Sequence, residues 1–280
     1  MRIPFVIVRY NRVGWFGLKA KLKIIPYENS DVIVATAWPT AYSIYKLSKT
    51  KGKKVYFIQD YEIWFGPKDL VDNSYVLDLN RVVSSPYLKE LIEGKFGVKV
   101  KGIVLNWVDS IFYFEGEKKF DFPYRIIILY HRDARKGYKE GLEVLKMVKQ
   151  KYPEVEVIIF GVKSPQRGEL PSFALFYKGL YGIKLTDLYK SAHIFVSLSL
   201  SKDWHSSPME AMAAKCAVVA TSVGSMRYLD ISRETALICE PGDVVCLAEN
   251  LKKLSSNGYN IIRNFLWEIS AENFESILKT

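Results

Sequence analysis

Short apolar runs alternate with amphipathic segments along most of the chain, and this alternation predicts its secondary structure. Short apolar runs bounded by polar or turn residues are typical of buried strands. The strands predicted in this way are 4–8, 31–35, 54–58, 81–83, 102–105, 125–130, 155–160, 173–177, 193–198, 217–221 and 236–239. Because strands that alternate with helices favour parallel pairing, the pattern predicts an α/β chain built on doubly wound parallel sheets.

Capping residues and helical spacing predict where the helices lie. Ser85 can cap a helix that has Pro86 in its first turn and Gly94 or Gly97 at its end. A helix after the strand 125–130 has apolar residues on one face, namely Tyr138, Leu142, Leu145 and Val148. Further helices are predicted from Trp38 to about Lys49, over 185–191, after Ser206, from Pro241 to about Leu254 and near the C-terminus.

The length of 280 residues and the apolar content of 49% predict two domains of ordinary size, each with its own core. The charged and aromatic segment 115–122 is a plausible hinge. We therefore predict a first domain over 1–117, a second over 118–265 and a C-terminal helical segment over 266–280.

Cysteine and histidine usage argues against a disulfide framework or a metal centre. The spacing of the three cysteines fits neither a zinc motif nor paired disulfides, so we expect a reducing, cytoplasmic compartment. The three histidines are His131, His193 and His205, and they are widely spaced. No run has the length of a membrane-spanning helix, and the first residues quickly become basic, unlike a signal peptide.

The formal charge of +10 is spread along the chain rather than gathered in a tail. Such a surface suits nucleotide phosphates, peripheral contact with an anionic inner membrane face, or nucleic acid. A generally basic surface with no specific partner is an equally good interpretation. No nucleic-acid-binding motif accompanies the charge, so nucleic acid is the weakest of the three partners.

The stretch 197–221 reads as the end of a strand, a polar loop, a short helix and the next strand. Ser206 or Ser207 can cap the helix, and Pro208 suits its first turn. In an open α/β sheet, ligands bind at the loops that follow the carboxyl ends of strands, and a helix N-terminus there favours a phosphate. The alternative is an ordinary packed unit in which Glu210 only supports the helix dipole.

A second candidate region is the turn 131–137, which follows the predicted strand 125–130. Its Arg132 and Lys136 are two cations at a ligand-binding edge, and together they can clamp a diphosphate. Gly161, at the end of the strand 155–160, is a further candidate for contact with the ligand. A basic surface turn is the alternative, since Arg135 and Lys139 lie nearby.

The sequence PMEAMA followed by AVVAT resembles the donor-site segment of retaining glycosyltransferases of the GT-B fold, in the family 4 group. The segments VVSSPYLKEL and LNWVDSIFYF resemble part of that family's first domain, and YFIQDYE and the WHSSP loop resemble its rhamnosyltransferase-like branch. Arg132, followed by Lys136 and Gly137, resembles the family's diphosphate-binding pair. Lys202 stands where the family has a first Glu, and Val13–Gly17 is a weak candidate for its glycine-rich loop.

The resemblance implies two Rossmann-like domains with a cleft between them, a shortened N-terminal domain on the acceptor side, and a final helix that crosses back to it. It also implies transfer of a hexosyl or rhamnosyl group from a nucleotide-sugar donor, with retention, to a glycan, lipid-linked or protein acceptor. The donor-binding residues would be Arg132, Lys136, Gly161, Lys202, Ser206, Ser207 and Glu210, with Glu210 on the ribose. Neither a cofactor nor a metal is expected, because the family's reaction needs no divalent ion and the chain has no Asp-x-Asp motif.

Two other interpretations remain open at this point. Lys202 and the shortened first domain would fit a non-catalytic sugar-nucleotide or glycan-binding protein, and the charge alone would fit a nucleic-acid-binding protein. Asp60 and Glu62, at the end of the strand 54–58, could orient an acceptor hydroxyl or have a structural role. His131 and His205 adjoin the candidate loops and are more typical of local hydrogen bonding.

Overall fold

The computed structural model describes residues 5–8, 31–106, 108–119, 123–200, 206–224, 226, 236–239 and 276–277. The chain divides into two compact units. One comprises Met1–Asn106 together with Ser270–Thr280, and the other comprises Trp107–Ile269. Each unit has its own parallel sheet.

The first unit contains a five-stranded sheet with the order β1-β2-β3-β4-β5. Its strands are β1 Phe5–Val8, β2 Val32–Ala35, β3 Lys53–Ile58, β4 Asn80–Val83 and β5 Gly102–Ile103. All of the pairings are parallel, with Ala35 opposite Tyr56 and Ile58 opposite Val83. Since a parallel pairing needs a crossover connection, the helices follow the strands as the sequence pattern predicts.

The helices of this unit are α1 Trp38–Tyr45, α2 Lys68–Val76 and α3 Pro86–Phe96. The predicted cap of α3 is confirmed, because the Ser85 hydroxyl oxygen accepts a hydrogen bond from the Leu88 amide at 3.0 Å. Gly97 ends the helix in the left-handed conformation, with φ 64°. The buried residues between these helices and the sheet include Ile33, Ile44, Tyr56, Val71, Tyr75, Val83, Leu88 and Ile92.

Helix α2 was missed by the sequence analysis, which assigned no element between Glu62 and Arg81. Its buried face consists of Val71, Ser74 and Tyr75. Tyr75 is stacked on Tyr56 of the sheet, with ring centroids 5.8 Å apart. The Tyr75 ring also contacts the rings of Tyr61 and Phe96. The helix is therefore held by the contacts of one aromatic side chain and by few apolar residues, which explains why its periodicity is weak in the sequence.

The opposite face of the first sheet has a smaller core formed by Val32, Val34, Val55, Phe57, Val82 and Val104, with Ile277 packed against it. A Cβ added at Gly102 would lie 2.6 Å from the Ile277 Cδ1 atom, so the glycine leaves room for this side chain. Most of the predicted C-terminal segment 266–280 lies outside the described residues.

The second unit contains a six-stranded sheet with the order β11-β10-β9-β6-β7-β8. Its strands are β6 Arg125–Leu129, β7 Glu156–Gly161, β8 Ala174–Lys178, β9 Ile194–Ser197, β10 Ala217–Thr221 and β11 Leu237–Cys239, and its helices are α4 Tyr138–Lys151, α5 Ile183–Ser191 and α6 Ser206–Ala213. All of the pairings are parallel, and β6 lies between β9 and β7.

The predicted apolar face of α4 packs on this sheet. Tyr138, Leu145 and Val148 are buried, and Leu142 is partly buried against the same cluster. The predicted strands all occur, with boundaries that differ by a residue or two. The helix predicted from Pro241 to about Leu254 lies outside the described residues. The α/β class with parallel sheets is therefore confirmed.

Candidate functional site

The carboxyl ends of three adjacent strands of the second unit bring most of the predicted site residues to one edge of the sheet. The turn 131–137 follows β6, Gly161 ends β7, and the loop before α6 follows β9. Because β6 is the middle strand of the three, its turn has the other two segments on either side. This edge is where open α/β sheets bind their ligands.

The turn after β6 packs directly on the chain that leaves β9. Gly137 has φ 66°, and a Cβ added there would lie 1.7 Å from the Leu198 carbonyl oxygen. The Leu200 amide also donates a hydrogen bond to the Arg135 carbonyl at 2.8 Å. A side chain at position 137 would both strain the backbone and separate the two segments. The structure thus brings together two segments that the sequence analysis selected independently.

Gly161 has a packing role at the same edge. A Cβ at this position would lie 2.7 Å from the Tyr130 carbonyl oxygen, so the glycine allows the ends of β6 and β7 to approach closely. The Tyr130 amide donates to the Phe160 carbonyl at 2.7 Å, and the Gly161 carbonyl accepts from the Gly179 amide at 2.8 Å. These contacts account for a glycine here, and its predicted contact with a ligand stays a prediction.

The basic residues of the turn have different surroundings. Arg135 forms an ion pair with Asp133, and its Nε atom lies 3.0 Å from Oδ1. The same carboxylate accepts from the Arg135 amide at 3.0 Å and thereby caps the short 3₁₀ turn Ala134–Lys136. Hydrogen bonds from Arg135 lower the pKa of Asp133. Arg135 is therefore engaged in holding the turn, whereas the Arg132 side chain is exposed and Lys136 is half-buried.

Arg132 lies beside a tyrosine–glutamate network that the sequence analysis missed. The Tyr130 hydroxyl donates to Glu169 Oε2 at 2.7 Å, and the Gln166 amide donates to the same oxygen at 2.7 Å. These hydrogen bonds lower the pKa of Glu169, and the positive charge of Arg132 acts in the same direction. The Arg132 guanidinium also interacts with the Tyr130 hydroxyl. An ionised carboxylate is thus available to orient Arg132.

A second tyrosine joins this network. The Tyr138 hydroxyl donates to the Glu169 carbonyl at 3.0 Å, and its ring meets the Tyr130 ring edge-on, with centroids 4.6 Å apart. Glu169 lies in the irregular segment between β7 and β8, far from both tyrosines in the sequence. Tyr138 was predicted to lie on the apolar face of α4, but nothing in the sequence predicts that either tyrosine contacts Glu169.

Glu210 is the fifth residue of α6 and is half-buried. Its carboxylate and the Ser207 hydroxyl both hydrogen-bond the side chain of Tyr189, which is 0% exposed. Burial raises the pKa of the Tyr189 hydroxyl, and the negative charge of Glu210 raises it further. The tyrosine therefore stays neutral and acts as a donor to Glu210. Tyr189 thus orients Ser207 and Glu210, two of the predicted binding residues.

The remaining predicted residues divide into those that the structure describes and those that it does not. Ser206 and Ser207 begin α6 and are half-buried. Lys202, His205 and the segment Val13–Gly17 lie outside the described residues. His131 has the local role expected for it, because its Nδ1 atom accepts from the Asp133 amide at 3.0 Å.

The carboxyl edge of the first sheet has a different character. Glu62 Oε2 accepts a hydrogen bond from the Trp38 amide at 2.7 Å and so caps α1, which favours the structural role for this residue. Burial raises the pKa of Glu62 to about 7. Asp60 Oδ2 accepts from the Trp64 indole Nε1 at 2.9 Å. Neither the capping contact nor the indole contact was foreseen from the sequence.

Within the ranges that the structure describes, no group of three or more His, Cys, Asp and Glu side chains could hold a metal ion. In the same ranges, no helix is long and apolar enough to cross a membrane. A shallow groove of about 450 Å³ lies between β8 and α5, lined by Arg125, Ile158, Tyr177, Leu180, Lys184, Asp187, Leu188 and Ser191. It contains none of the predicted site residues.

Parallel α/β sheets whose carboxyl-edge loops carry fixed cations and a helix N-terminus define a class of proteins that bind phosphorylated ligands. Comparison with known families identifies the family within this class. The family model described as glycosyl transferases group 1 matches residues 112–266, which is more than half of the chain. The chain belongs to this family.

Similarity to individual proteins is more limited. A sulfoquinovosyl transferase of Arabidopsis thaliana is 30% identical over 129 residues, which are 43% of this chain and 25% of that protein. The match thus spans about a quarter of this curated relative.

Solved structures agree over a larger part of the fold. The sucrose-phosphate synthase of Thermosynechococcus elongatus has a TM-score of 0.72 at 17% identity, over 89% of this chain and 73% of that one. A glycosyltransferase of Rickettsia africae has a TM-score of 0.72 at 16% identity, over 89% and 76% of the two chains. At these identities the likeness concerns the fold alone, and it confirms the predicted GT-B fold class.

Proposed function

We propose that this protein is a glycosyltransferase that moves a hexosyl or rhamnosyl group from a nucleotide-sugar donor to an acceptor hydroxyl, with retention of configuration. One observation carries the proposal. The turn with Arg132 and Lys136 packs, through Gly137, on the chain leading to the helix of Glu210. All of these residues lie within the part of the chain that matches the glycosyltransferase family.

In such a transfer the sugar–phosphate bond breaks while the acceptor hydroxyl approaches the same face of the sugar. The departing phosphate oxygen accepts the acceptor's proton, so no separate protein base is required. The protein has to stabilise the negative charge that grows on the leaving diphosphate, with groups already in place. Arg132, Lys136 and the first amides of α6 supply this stabilisation in our proposal.

The Tyr130–Glu169 network supports the role assigned to Arg132. A long cationic side chain loses conformational entropy when it binds a phosphate, and a neighbouring carboxylate that orients it beforehand reduces this cost. Glu169 does not compete fully for the guanidinium, because its Oε2 atom already accepts from Tyr130 and Gln166. Arg132 retains donors that can face a ligand, since a guanidinium has five.

Glu210 is assigned to the ribose of the donor. A carboxylate near an anionic diphosphate is unfavourable unless it engages a neutral donor, and a ribose diol is such a donor. The buried Tyr189 hydroxyl already donates one hydrogen bond to this carboxylate. A carboxylate accepts about four hydrogen bonds in total, so acceptor sites remain for the two ribose hydroxyls.

The proposal also holds that the reaction proceeds without a divalent metal, because protein cations take its place at the diphosphate. The acceptor is a glycan, a lipid-linked sugar or a protein. Lys202, which lies outside the described residues, is assigned to the sugar side of the donor. The non-catalytic alternative predicts that the same donor binds but is neither transferred nor hydrolysed.

The test begins with the thermal stability of the protein in the presence of nucleoside diphosphates and their sugar conjugates, with a sulfoquinovosyl donor included because of the Arabidopsis relative. A ligand that binds only the folded state at a hundred times its Kd stabilises by about 2.7 kcal/mol. The donor found in this way is then incubated with candidate acceptors in excess chelator. We expect transfer at an undiminished rate. Binding without transfer or hydrolysis would favour the non-catalytic alternative, and activity that returns only with magnesium or manganese would refute the metal-independent mechanism.

A further inference from the structure

The segment that follows β3 presents apolar side chains to solvent at the carboxyl edge of the first sheet. It forms a single 3₁₀ turn, Glu62–Trp64. In this turn Ile63 is 42% exposed and Trp64 is 51% exposed. Burying a tryptophan contributes a large amount of hydrophobic free energy, and adjacent apolar side chains left in solvent are typical of an interaction surface, so this turn is a candidate for contact with a ligand.

The Trp64 ring is held in one orientation. Its Nε1 atom donates to Asp60 Oδ2 at 2.9 Å, and the Phe65 ring lies beside it at 5.6 Å between centroids. Phe65 in turn meets the ring of Trp38 at 6.3 Å, and Trp38 meets Tyr42 at 6.2 Å. A row of aromatic side chains thus supports the exposed indole.

The backbone beneath the indole is fixed as well. The buried Tyr75 hydroxyl accepts from the Glu62 amide at 3.1 Å and donates to the Asp60 carbonyl at 3.2 Å. The Glu62 side chain is anchored to the Trp38 amide. Asp60 and Trp64 therefore keep their spacing without a bound ligand, which lowers the entropic cost of binding one.

The acidic group in contact with the indole is the Asp60 carboxylate, which accepts from its Nε1 atom. The stretch from Asp60 to Asp72 contains four acidic residues, Asp60, Glu62, Asp69 and Asp72, and one basic residue, Lys68. Lys68 pairs with Asp72, which Lys95 also approaches. On a chain of net charge +10, a carboxylate at the rim of this ring disfavours a phosphate group there, and therefore anionic lipid and nucleic acid.

We propose that Trp64 and Asp60 form a subsite for a neutral sugar unit of the acceptor. The axial C–H groups of a pyranose ring carry partial positive charge and pack on the negative face of an indole. Sugar hydroxyls donate to a carboxylate, and Asp60 is half-buried at the rim of the ring. The proposal rests on the proposed transferase function and adds that the acceptor is a carbohydrate.

The test uses saturation-transfer NMR on the full chain with lactose, cellobiose, maltotriose and mannotriose as probes. We expect at least one probe to receive saturation through its ring C–H protons. In Trp64→Ala its binding should be at least tenfold weaker, and in Trp64→Phe it should be intermediate. Asp60→Asn should weaken binding as well. Ile63→Ala removes a similarly exposed side chain from the same turn and should leave binding unchanged.

Nucleoside diphosphate titrations on the same variants separate this proposal from the proposed function. If the wild-type protein and the Trp64 variant bind nucleotide equally while only the variant loses the saccharide, both proposals are supported. A wild-type protein that binds none of the four sugars, or equal binding by Trp64→Ala and Ile63→Ala, would overturn the sugar subsite. Retained sugar binding with no nucleotide binding would instead overturn the donor assignment. Loss of binding to phosphatidylglycerol vesicles in Trp64→Ala, with sugar binding intact, would show a membrane contact and also overturn the subsite.

Discussion

The carboxyl edges of the two sheets occupy the same place in their respective folds but have different chemistry. In the second unit, Arg132 and Lys136 lie in a turn whose position depends on a glycine contact and an Asp133–Arg135 ion pair. In the first unit, the corresponding edge carries Trp64 and acidic groups. In our proposals the basic edge binds the anionic diphosphate of the donor, and the aromatic edge binds a neutral sugar of the acceptor.

The two edges also differ in how their functional side chains are held. The basic turn is held by backbone contacts, with Gly137 against the Leu198 carbonyl and the Leu200 amide on the Arg135 carbonyl, and by the Asp133–Arg135 pair. The aromatic edge is organised by side chains, through Trp64, Phe65 and Trp38. Substitutions should therefore separate binding from stability more cleanly at the basic turn, where the Asp133 carboxylate that caps the turn pairs with Arg135 rather than with the proposed donor-binding residue Arg132.

The largest effect is expected from the two cations that we propose bind the diphosphate. Arg132→Ala or Lys136→Ala should each lower turnover about 100- to 1,000-fold, or about 2.7–4 kcal/mol, because each removes a donor at the developing charge. The melting temperature should change little. Arg135→Ala is the matched control from the same turn, and we expect it to lower stability through loss of the Asp133 pair. If Arg132→Ala and Lys136→Ala have the same nucleotide affinity and turnover as the control Arg135→Ala, the assignment of these cations to the diphosphate is refuted.

A somewhat smaller effect, on stability, is expected from the contact between the basic turn and the chain after β9. Gly137→Ala places a Cβ 1.7 Å from the Leu198 carbonyl oxygen at φ 66°, which should cost about 2–4 kcal/mol in urea unfolding.

Gly168→Ala is the control for Gly137→Ala, because its φ is 86° but nothing lies within 4 Å of the added Cβ. Gly168→Ala should lower the free energy of unfolding by only about 1 kcal/mol, because it strains the backbone without creating a steric clash. Similar costs in the two variants would mean that the close approach contributes little.

The third prediction concerns the acidic, aromatic edge and its pH dependence. Burial raises the Glu62 pKa from 4.5 to about 7, so between these values the folded state binds more protons than the unfolded state. Stability therefore falls as the pH rises from about 4.5 to about 7, by about 3 kcal/mol at most. Glu62→Gln keeps an acceptor oxygen for the Trp38 amide and cannot ionise. We expect it to match the wild type at pH 4.5 and to be more stable at pH 7.5. Urea denaturation at several pH values measures this, and parallel curves for the two proteins would show that Glu62 does not titrate in this range.

The smallest of these effects is expected at Glu210. Glu210→Gln should weaken nucleoside diphosphate binding by about 1.5–3 kcal/mol, or roughly ten- to a hundredfold, through loss of a charged hydrogen bond to the ribose. Calorimetric titration gives the dissociation constants. If Glu210 only supports the helix dipole and Tyr189, affinity will be unchanged and the melting temperature will fall instead. Tyr189→Phe provides the comparison, because it removes the buried hydroxyl that donates to Glu210 but leaves the carboxylate.

The sequence was most informative where local rules decide the structure. Ser85 and Gly97 bound α3 as their capping preferences predict, and the apolar spacing of α4 identified most of its buried face. Arg132, Lys136 and Glu210 could be selected because they follow strands and begin or precede helices, and parallel strands bring such positions to one edge.

The contacts that the sequence did not predict are those between distant segments. Tyr130 and Glu169 meet across the sheet edge, and the segment containing Glu169 has no periodicity from which its position could be inferred. The exposure of Trp64 could not be predicted either, because tryptophan is highly buried on average. Lys118 shows the same limit. It looked like part of a charged hinge, but its ammonium group donates to the Ala192 carbonyl at 2.6 Å beside buried Cys216.

The contact of Ile277 with Gly102 and the core around Val104 has a consequence for the order in which the protein is made. A ribosome releases residues from the N-terminus onward, so the first sheet emerges long before the residue that packs on this face. The valines on this face can pack against Ile277 only after the second unit has also been synthesised. During that interval the second unit can already be complete, since its residues form one continuous stretch. The packing of the first sheet is therefore completed only after the second unit has been made, and until then its apolar face is open to chaperones.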